Sequence, residues 1–203
     1  MDGDAVAALE FDAILARVSA ATATPRGQAL ARALTPSPAA EEVSRRQELT
    51  AEAVALLDEA AEPPLDGIHD IREAVAYAER GGALAPDALA RIASTIAGGL
   101  RARAALDRVA APRLAAIAAD VDPALAAVAE TIGRAVEEDG SDLRDTASPL
   151  LRRLRHETRE GRQRVADALR RLARSPALAP HLQEDFVTER GGRPVLAVKA
   201  SSR

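Results

Sequence analysis

Only three aromatic side chains, Phe11, Tyr77 and Phe186, occur in this 203-residue chain, and that scarcity limits the kind of interior it can build. Aromatic rings carry a large share of the buried area in most cores. Here 47% of the residues are hydrophobic, but they are mostly Ala, Leu, Val and Ile. Alanine fills little volume, so the elements must approach one another closely. Ala, Leu, Arg and Glu are also the residues that lose least side-chain freedom in a helix. A mainly α fold is therefore expected rather than a sandwich or barrel, and the length suits one sizeable domain or two small ones.

Several function classes are excluded by what the chain lacks. It has no cysteine, hence no disulfide framework and no thiolate zinc site. The start, Met1-Asp2-Gly3-Asp4, is acidic where a secretion signal needs positive charge, and no apolar run approaches the roughly 20 residues of a membrane span. A soluble cytoplasmic protein without membrane contact is expected. Lys199, the sole lysine, follows Val198 rather than a glycine, so no phosphate-cradling Walker loop exists, and neither G-x-G-x-x-G nor G-x-S-x-G is present. His69 with Glu73, and His156 with Glu160, share helical faces, yet a metal site needs three or four ligands. Solvation accounts for the acidic run Glu137-Glu138-Asp139. No catalytic residue, metal or cofactor is assigned to this segment.

Proline and glycine punctuate the chain. Apolar residues at 11, 14, 15 and 18 predict a helix over Leu9 to Ala21. Thr24-Pro25 supplies an N-cap and a first-turn proline for a short helix to Leu34. Ser37-Pro38 repeats that signal for a longer helix ending near Glu62, stopped by Pro63-Pro64. Asp66 to Arg80 reads as a further helix closed by Gly81-Gly82. Pro86-Asp87 opens another to about Ala110, with Gly98-Gly99 inside it. Helices then start at Pro112 and at Asp122-Pro123, the last reaching Glu137 before an Asp139-Gly140 turn. Near the C-terminus, Phe186-Val187-Thr188 and Val195-Leu196-Ala197-Val198 flank Arg190-Gly191-Gly192-Arg193, a β-hairpin pattern. A lone hairpin is marginal in water, and the chain stops at Ser201-Ser202-Arg203, so the sequence is expected to be a fragment cut inside the next domain.

The helix opened by Ser148-Pro149 stands apart. Leu151, Leu154, Thr158, Gly161, Val165, Ala168 and Leu172 recur at alternating spacings of three and four, the repeat of a coiled-coil seam. Thr158 and Gly161 pack little, and Gly161 costs about 1 kcal/mol relative to Ala in a helix, so a bend near the centre is foreseen. Leu151, Leu154, Val165 and Leu172 form the interaction seam. The net charge of −4 conceals an asymmetry: residues 1–149 carry 14 arginines against 25 carboxylates, whereas residues 150–174 carry nine against three. At 100° per residue, Arg152, Arg155, Arg159 and Arg162 share one face, continued by Arg170 and Arg174. Arg153, Arg164 and Arg171 line the other flank of the seam. Such rows can neutralise phosphates or can simply be a solvated face with Glu157 and Glu160 supplying local pairs. No aromatic platform for stacking bases accompanies them.

Taken together, several stretches resemble the MutS family, specifically its second branch, which suppresses recombination and ends in an Smr nuclease domain. They are Leu9-Glu10-Phe11-Asp12-Ala13-Ile14-Leu15, Pro63 to Arg72, Gly81-Gly82-Ala83-Leu84, Glu138-Asp139-Gly140, Ala147 to Arg153, and Val187 to Ala200. The resemblance implies a multi-helix core over residues 1–147, a long coiled-coil-like lever helix over 148–180, and a β-hairpin over 181–203 at the base of a clamp. It implies a parent ATPase and endonuclease, using ATP and magnesium at sites downstream of this segment. Its partners would be duplex or branched DNA or, in some bacteria, ribosomal RNA on stalled ribosomes, and it would act as a homodimer. The Phe-x-Glu wedge of mismatch-reading relatives is absent, since Phe11 precedes Asp12-Ala13 and Phe186 precedes Val187-Thr188. A purely structural helical module dimerising through its seam is the rival reading.

Overall fold

The computed structural model describes residues 8–184 and 186–200, so the acidic start and the last three residues lie outside it. The chain folds as two compact units, one reaching to Arg144 and the other beginning at Asp145. It is mainly α, with a small antiparallel hairpin near the C-terminus.

The first unit contains α1 (Phe11–Ala20), α2 (Pro25–Arg32), α3 (Ala40–Asp58), α4 (Arg72–Glu79), α5 (Pro86–Leu106), α6 (Pro112–Ala118) and α7 (Leu125–Ala135). α1 packs on α2, and α5 packs on both α6 and α7. Thr24 caps α2 as expected, its hydroxyl accepting from the Gly27 N–H at 3.0 Å, with Pro25 in the first turn. Ser37 behaves differently. Its hydroxyl accepts from Ala39 N–H at 3.2 Å, a local turn that delays the start of α3 to Ala40. At the other end α3 stops at Asp58 rather than Glu62, because Ala60 takes a left-handed conformation (φ 52°) and the Ala61 N–H bonds back to Leu56 O. Leu56, Leu106 and Ala111 form the buried cluster where α3, α5 and α6 meet, with Val109 and Leu114 beside it.

The helix expected over Asp66 to Arg80 is only half present. Residues up to Ile71 form an irregular loop laid on α5, and α4 begins at Arg72. Gly67 sits at φ 78°, its carbonyl accepting from Ser94 Oγ at 2.9 Å, while the His69 N–H donates to Thr95 Oγ1 and Arg101 reaches Asp66 O. These three α5 side chains satisfy the loop's backbone, so helix formation there has no advantage. Gly98 lets the loop approach, since a Cβ at that position would lie 2.8 Å from Ile68 Cγ1 and 3.0 Å from Asp66 O. The Gly81-Gly82 closure of α4 is present, with Gly81 at φ 81° and the Gly82 N–H bonded to Tyr77 O.

The second unit consists of α8 (Pro149–Ala173), a short 3₁₀ turn (Ala179–His181), β1 (Thr188–Arg190) and β2 (Arg193–Val195). The Gly191-Gly192 turn has φ of 57° and 74°, as a two-residue hairpin of matching twist requires. Arg190 pairs with Arg193, Glu189 with Pro194 and Thr188 with Val195. The closing pair of such a hairpin is hydrogen-bonded, which leaves Pro194 opposite Glu189 at a position that asks for no N–H across the ladder. Pairing resumes between 181–183 and 197–199 through Gln183 N–H to Ala197 O and Lys199 N–H to His181 O. β2 packs against α8, and Ala173 and Leu182 are buried.

Candidate nucleic-acid interface

α8 carries the charge asymmetry seen in the sequence. Ser148, in extended backbone, caps it by accepting from the Leu150 N–H at 3.2 Å, and Pro149 pre-sets the first turn. Between the caps the helix runs unbroken for 25 residues, about 37 Å at 1.5 Å per residue. Thr158 does not interrupt it; its hydroxyl bonds back to Leu154 O at 2.7 Å. Gly161 is accommodated without a break, and a Cβ there would find only Arg164 Nη2, at 3.8 Å. Arg170, Arg171 and Arg174 stand at the C-terminal end, where the helix dipole favours cations, whereas Arg152 and Arg153 oppose it at the other end.

The carboxylates of α8 are each engaged locally. Glu157 lies 3.5 Å from Arg153, Glu160 lies 3.1 Å from His156 Nε2 and 3.7 Å from Arg164, and Asp167 lies 2.5 Å from Arg170. Most of these pairs are exposed, so each contributes little to stability. Arg162 and Arg174 have no ion pair among the described residues and extend into solvent.

Three of the four arginines of the predicted face, Arg152, Arg155 and Arg159, converge on a residue that sequence reasoning did not single out, while Arg162 stands outside the group. Asp145, just before the cap, accepts from Arg155 Nη1 at 2.8 Å and lies 3.5 Å from Arg159 Nη2. Its backbone carbonyl takes Arg152 Nε at 3.4 Å. The Arg155 hydrogen bond, working against partial burial, holds the Asp145 carboxyl below its ordinary range, and the charges of Arg155 and Arg159 add to the effect. Asp145 belongs to an irregular stretch, and no periodic pattern links it to the helix face; an acid within a few residues of an N-cap is the only signal that could have suggested it.

Arg170 and Arg174 lie apart from that group. With Ala166, Phe186, Thr188, Glu189 and Pro194 they line an open cavity of about 390 Å³ beside the hairpin. The seam residues remain largely uncovered: Leu154 is 48%, Val165 50% and Leu172 46% exposed, with Leu151 half-buried. α8 thus turns a different side, around Ala173, to the hairpin and leaves the seam available. Among the described residues no group of three or more metal-binding side chains comes together, and no helix is long and apolar enough to cross a membrane.

Against known proteins, the chain is 36% identical over 204 residues to Endonuclease MutS2 of Symbiobacterium thermophilum, a match that covers 100% of this chain and 25% of that protein. It is 31% identical over 209 residues to Endonuclease MutS2 of Acetivibrio thermocellus and 35% over 199 residues to that of Brevibacillus brevis, each covering 96% of this chain and 25% of the relative. The chain therefore spans about a quarter of the length of the curated relatives it matches. No protein-family model matches it.

Proposed function

Taking as premise that this chain belongs to the MutS2 family, we propose that it is a non-catalytic segment of a cytoplasmic nucleic-acid-handling ATPase and endonuclease, acting in DNA repair and the suppression of recombination. Residues 1–147 serve as a helical core, 148–180 as a lever and 181–203 as the base of a clamp. The lever relays motion driven by ATP and magnesium, bound elsewhere in the whole protein, to a clamp around duplex or branched DNA. Ribosomal RNA is a second substrate of the same chemistry, and the whole protein works as a homodimer.

The observation that carries this reading is α8 itself: one continuous rod with nine arginines against three carboxylates over residues 150–174. A helix broken into segments could not relay displacement along its length, and a neutral one would gain nothing beside a phosphate backbone. The test is fluorescence anisotropy with a labelled duplex and a labelled four-way junction over a range of salt. The protein carrying Arg152, Arg155, Arg159 and Arg162 all changed to Glu is compared with the unmodified chain. Loss of four phosphate contacts flattens the log–log salt dependence by about 3 to 4. Equal affinity and equal slope would remove this face from the mechanism.

The exposure of Leu154, Val165 and Leu172 favours a second reading, in which the seam is a coiled-coil dimerisation surface and nucleic acid is not involved. Sedimentation at several concentrations separates the two. A tight dimer that dissociates on Leu154→Glu, in a protein that binds neither probe, favours the seam.

A further inference from the structure

The arrangement around Asp145 points to a specific phosphate site. Three side chains from successive turns of α8 converge on one acidic residue: Arg155 Nη1 on Oδ1 at 2.8 Å, Arg159 Nη2 near Oδ2 at 3.5 Å, and Arg152 Nε on the backbone oxygen at 3.4 Å. Two guanidiniums on the two oxygens of one carboxylate reproduce the geometry by which arginines hold two oxygens of a phosphate. The group is reachable from solvent, because the side chains of Asp145 and Arg159 are 41% and 66% exposed. Asp145 also lies outside the helix, so the carboxylate can leave without unwinding α8.

We propose that Asp145 is an internal stand-in for a backbone phosphate of nucleic acid, occupying a site built by Arg155 and Arg159 with Arg152 beside it, and that binding exchanges the carboxylate for the phosphate. This rests on the reading of α8 as a phosphate-facing rod, and it adds a restraint: the site is closed by the chain's own acid until a polyanion competes for it. Without nucleic acid the exchange is unfavourable, since departing Asp145 costs Arg155 and Arg159 one ion pair each. With it, one carboxylate is replaced by a group of at least equal charge and better fit.

The experiment measures binding of the full chain to a labelled duplex across a salt series for the unmodified protein, Asp145→Asn, Glu157→Gln and Asp145→Asn combined with Arg155→Gln and Arg159→Gln. Asp145→Asn keeps the shape but removes the competing charge. One additional phosphate contact steepens the salt slope by about 0.9 and tightens binding several-fold at low salt. Glu157→Gln, which frees only Arg153, controls for the loss of one negative charge. The proposal expects the Asp145→Asn gain to exceed that of Glu157→Gln and to vanish in the triple variant. Equal gains from the two single variants, in a protein whose binding still depends on the arginine face, overturn the stand-in while leaving the broader reading intact. Absence of salt-dependent binding in both the unmodified and Asp145→Asn proteins overturns both. Inorganic phosphate, at ionic strength matched with chloride, is the final arm. If low millimolar phosphate abolishes the Asp145→Asn gain, the site belongs to free phosphate and the backbone assignment is wrong.

Discussion

Of the glycines inside helices, Gly98, Gly133 and Gly161 sit in contrasting surroundings, and changing them to alanine yields effects of opposite sign. Alanine gains about 1 kcal/mol over glycine in a helix interior. At Gly133, in α7, an added Cβ has nothing within 4 Å, so the whole gain is realised. At Gly98, in α5, the same carbon would lie 2.8 Å from Ile68 Cγ1 and 3.0 Å from Asp66 O. Ile68 can adjust, but the carbonyl cannot easily retreat, because Arg101 holds it at 2.9 Å and Ser94 holds the next one at 2.9 Å. Overpacking of this kind costs about 1 to 3 kcal/mol, which outweighs the helix gain and leaves a net loss of about 1 kcal/mol.

Gly161, in α8, resembles Gly133, since only Arg164 Nη2 comes within 4 Å. Urea and thermal unfolding followed by far-ultraviolet circular dichroism measure all three. In a chain of this size 1 kcal/mol moves the midpoint by about 2 to 4 °C, so Gly133→Ala and Gly161→Ala rise by that amount and Gly98→Ala falls. Gly98→Ala as stable as Gly133→Ala would refute the tight seating of the 66–68 loop on α5, and with it the reason why no helix forms there.

Glu52 reaches across from α3 to the start of α6, accepting from the Arg113 N–H at 2.9 Å and the Leu114 N–H at 3.0 Å. Glu52→Ala therefore speeds amide exchange at these two positions by about tenfold or more, measured by NMR, while Glu48→Ala, which removes the exposed pair with Arg113 and a hydrogen bond from Ser44 Oγ but touches neither N–H, leaves them nearly unchanged. Hydrogen bonds from Arg45 and Arg46 lower the pKa of Glu42 from 4.5 to about 2, and those from the Arg72 guanidinium and backbone N–H lower that of Asp70 from 3.8 to about 2. Folded values below unfolded ones mean stability that is present above about pH 5 and lost as the pH falls towards 2. The thermal midpoint should drop through that window, and less steeply in Glu42→Gln with Asp70→Asn; because both pairs are exposed the difference is small. Leu154→Glu, at a 48% exposed position, is expected to leave monomer stability within about 0.5 kcal/mol, so any larger loss on thermal unfolding shows that the seam is covered in solution.

The parts of the fold that could be read from the sequence are those decided within a few residues. Thr24-Pro25 and Ser148-Pro149 open helices because hydroxyl and proline act on the adjacent turn. Gly191-Gly192 makes a hairpin because both positions need positive φ. The 66–71 loop was not legible, because its backbone partners Ser94, Thr95 and Arg101 come from 26 to 35 residues away. The end of α3 carries no sequence mark for a related reason: an alanine, Ala60, takes the left-handed turn that glycine usually marks. The arginine face was visible as a periodicity, but its closure by Asp145 was not, since that residue lies in no repeat.

Burial does little to keep α8 helical along most of its length, for its seam is open and its long arginine row is largely solvated. Its support is local: the Ser148 cap, three arginines at the end the dipole favours, and ion pairs one turn apart. Against these stand two arginines in the first turns, where the dipole disfavours them, and an interior glycine. Asp145 offsets the first of those costs by placing a negative charge beside the N-terminal turns, joined to Arg155 and Arg159. A phosphate in the same position would do so at least as well, because its charge is no smaller and its oxygens match both guanidiniums. Exchange of the acid for nucleic acid would therefore leave the rod as well supported as before. That is the condition under which one helix can both hold a polyanion and transmit displacement along its axis.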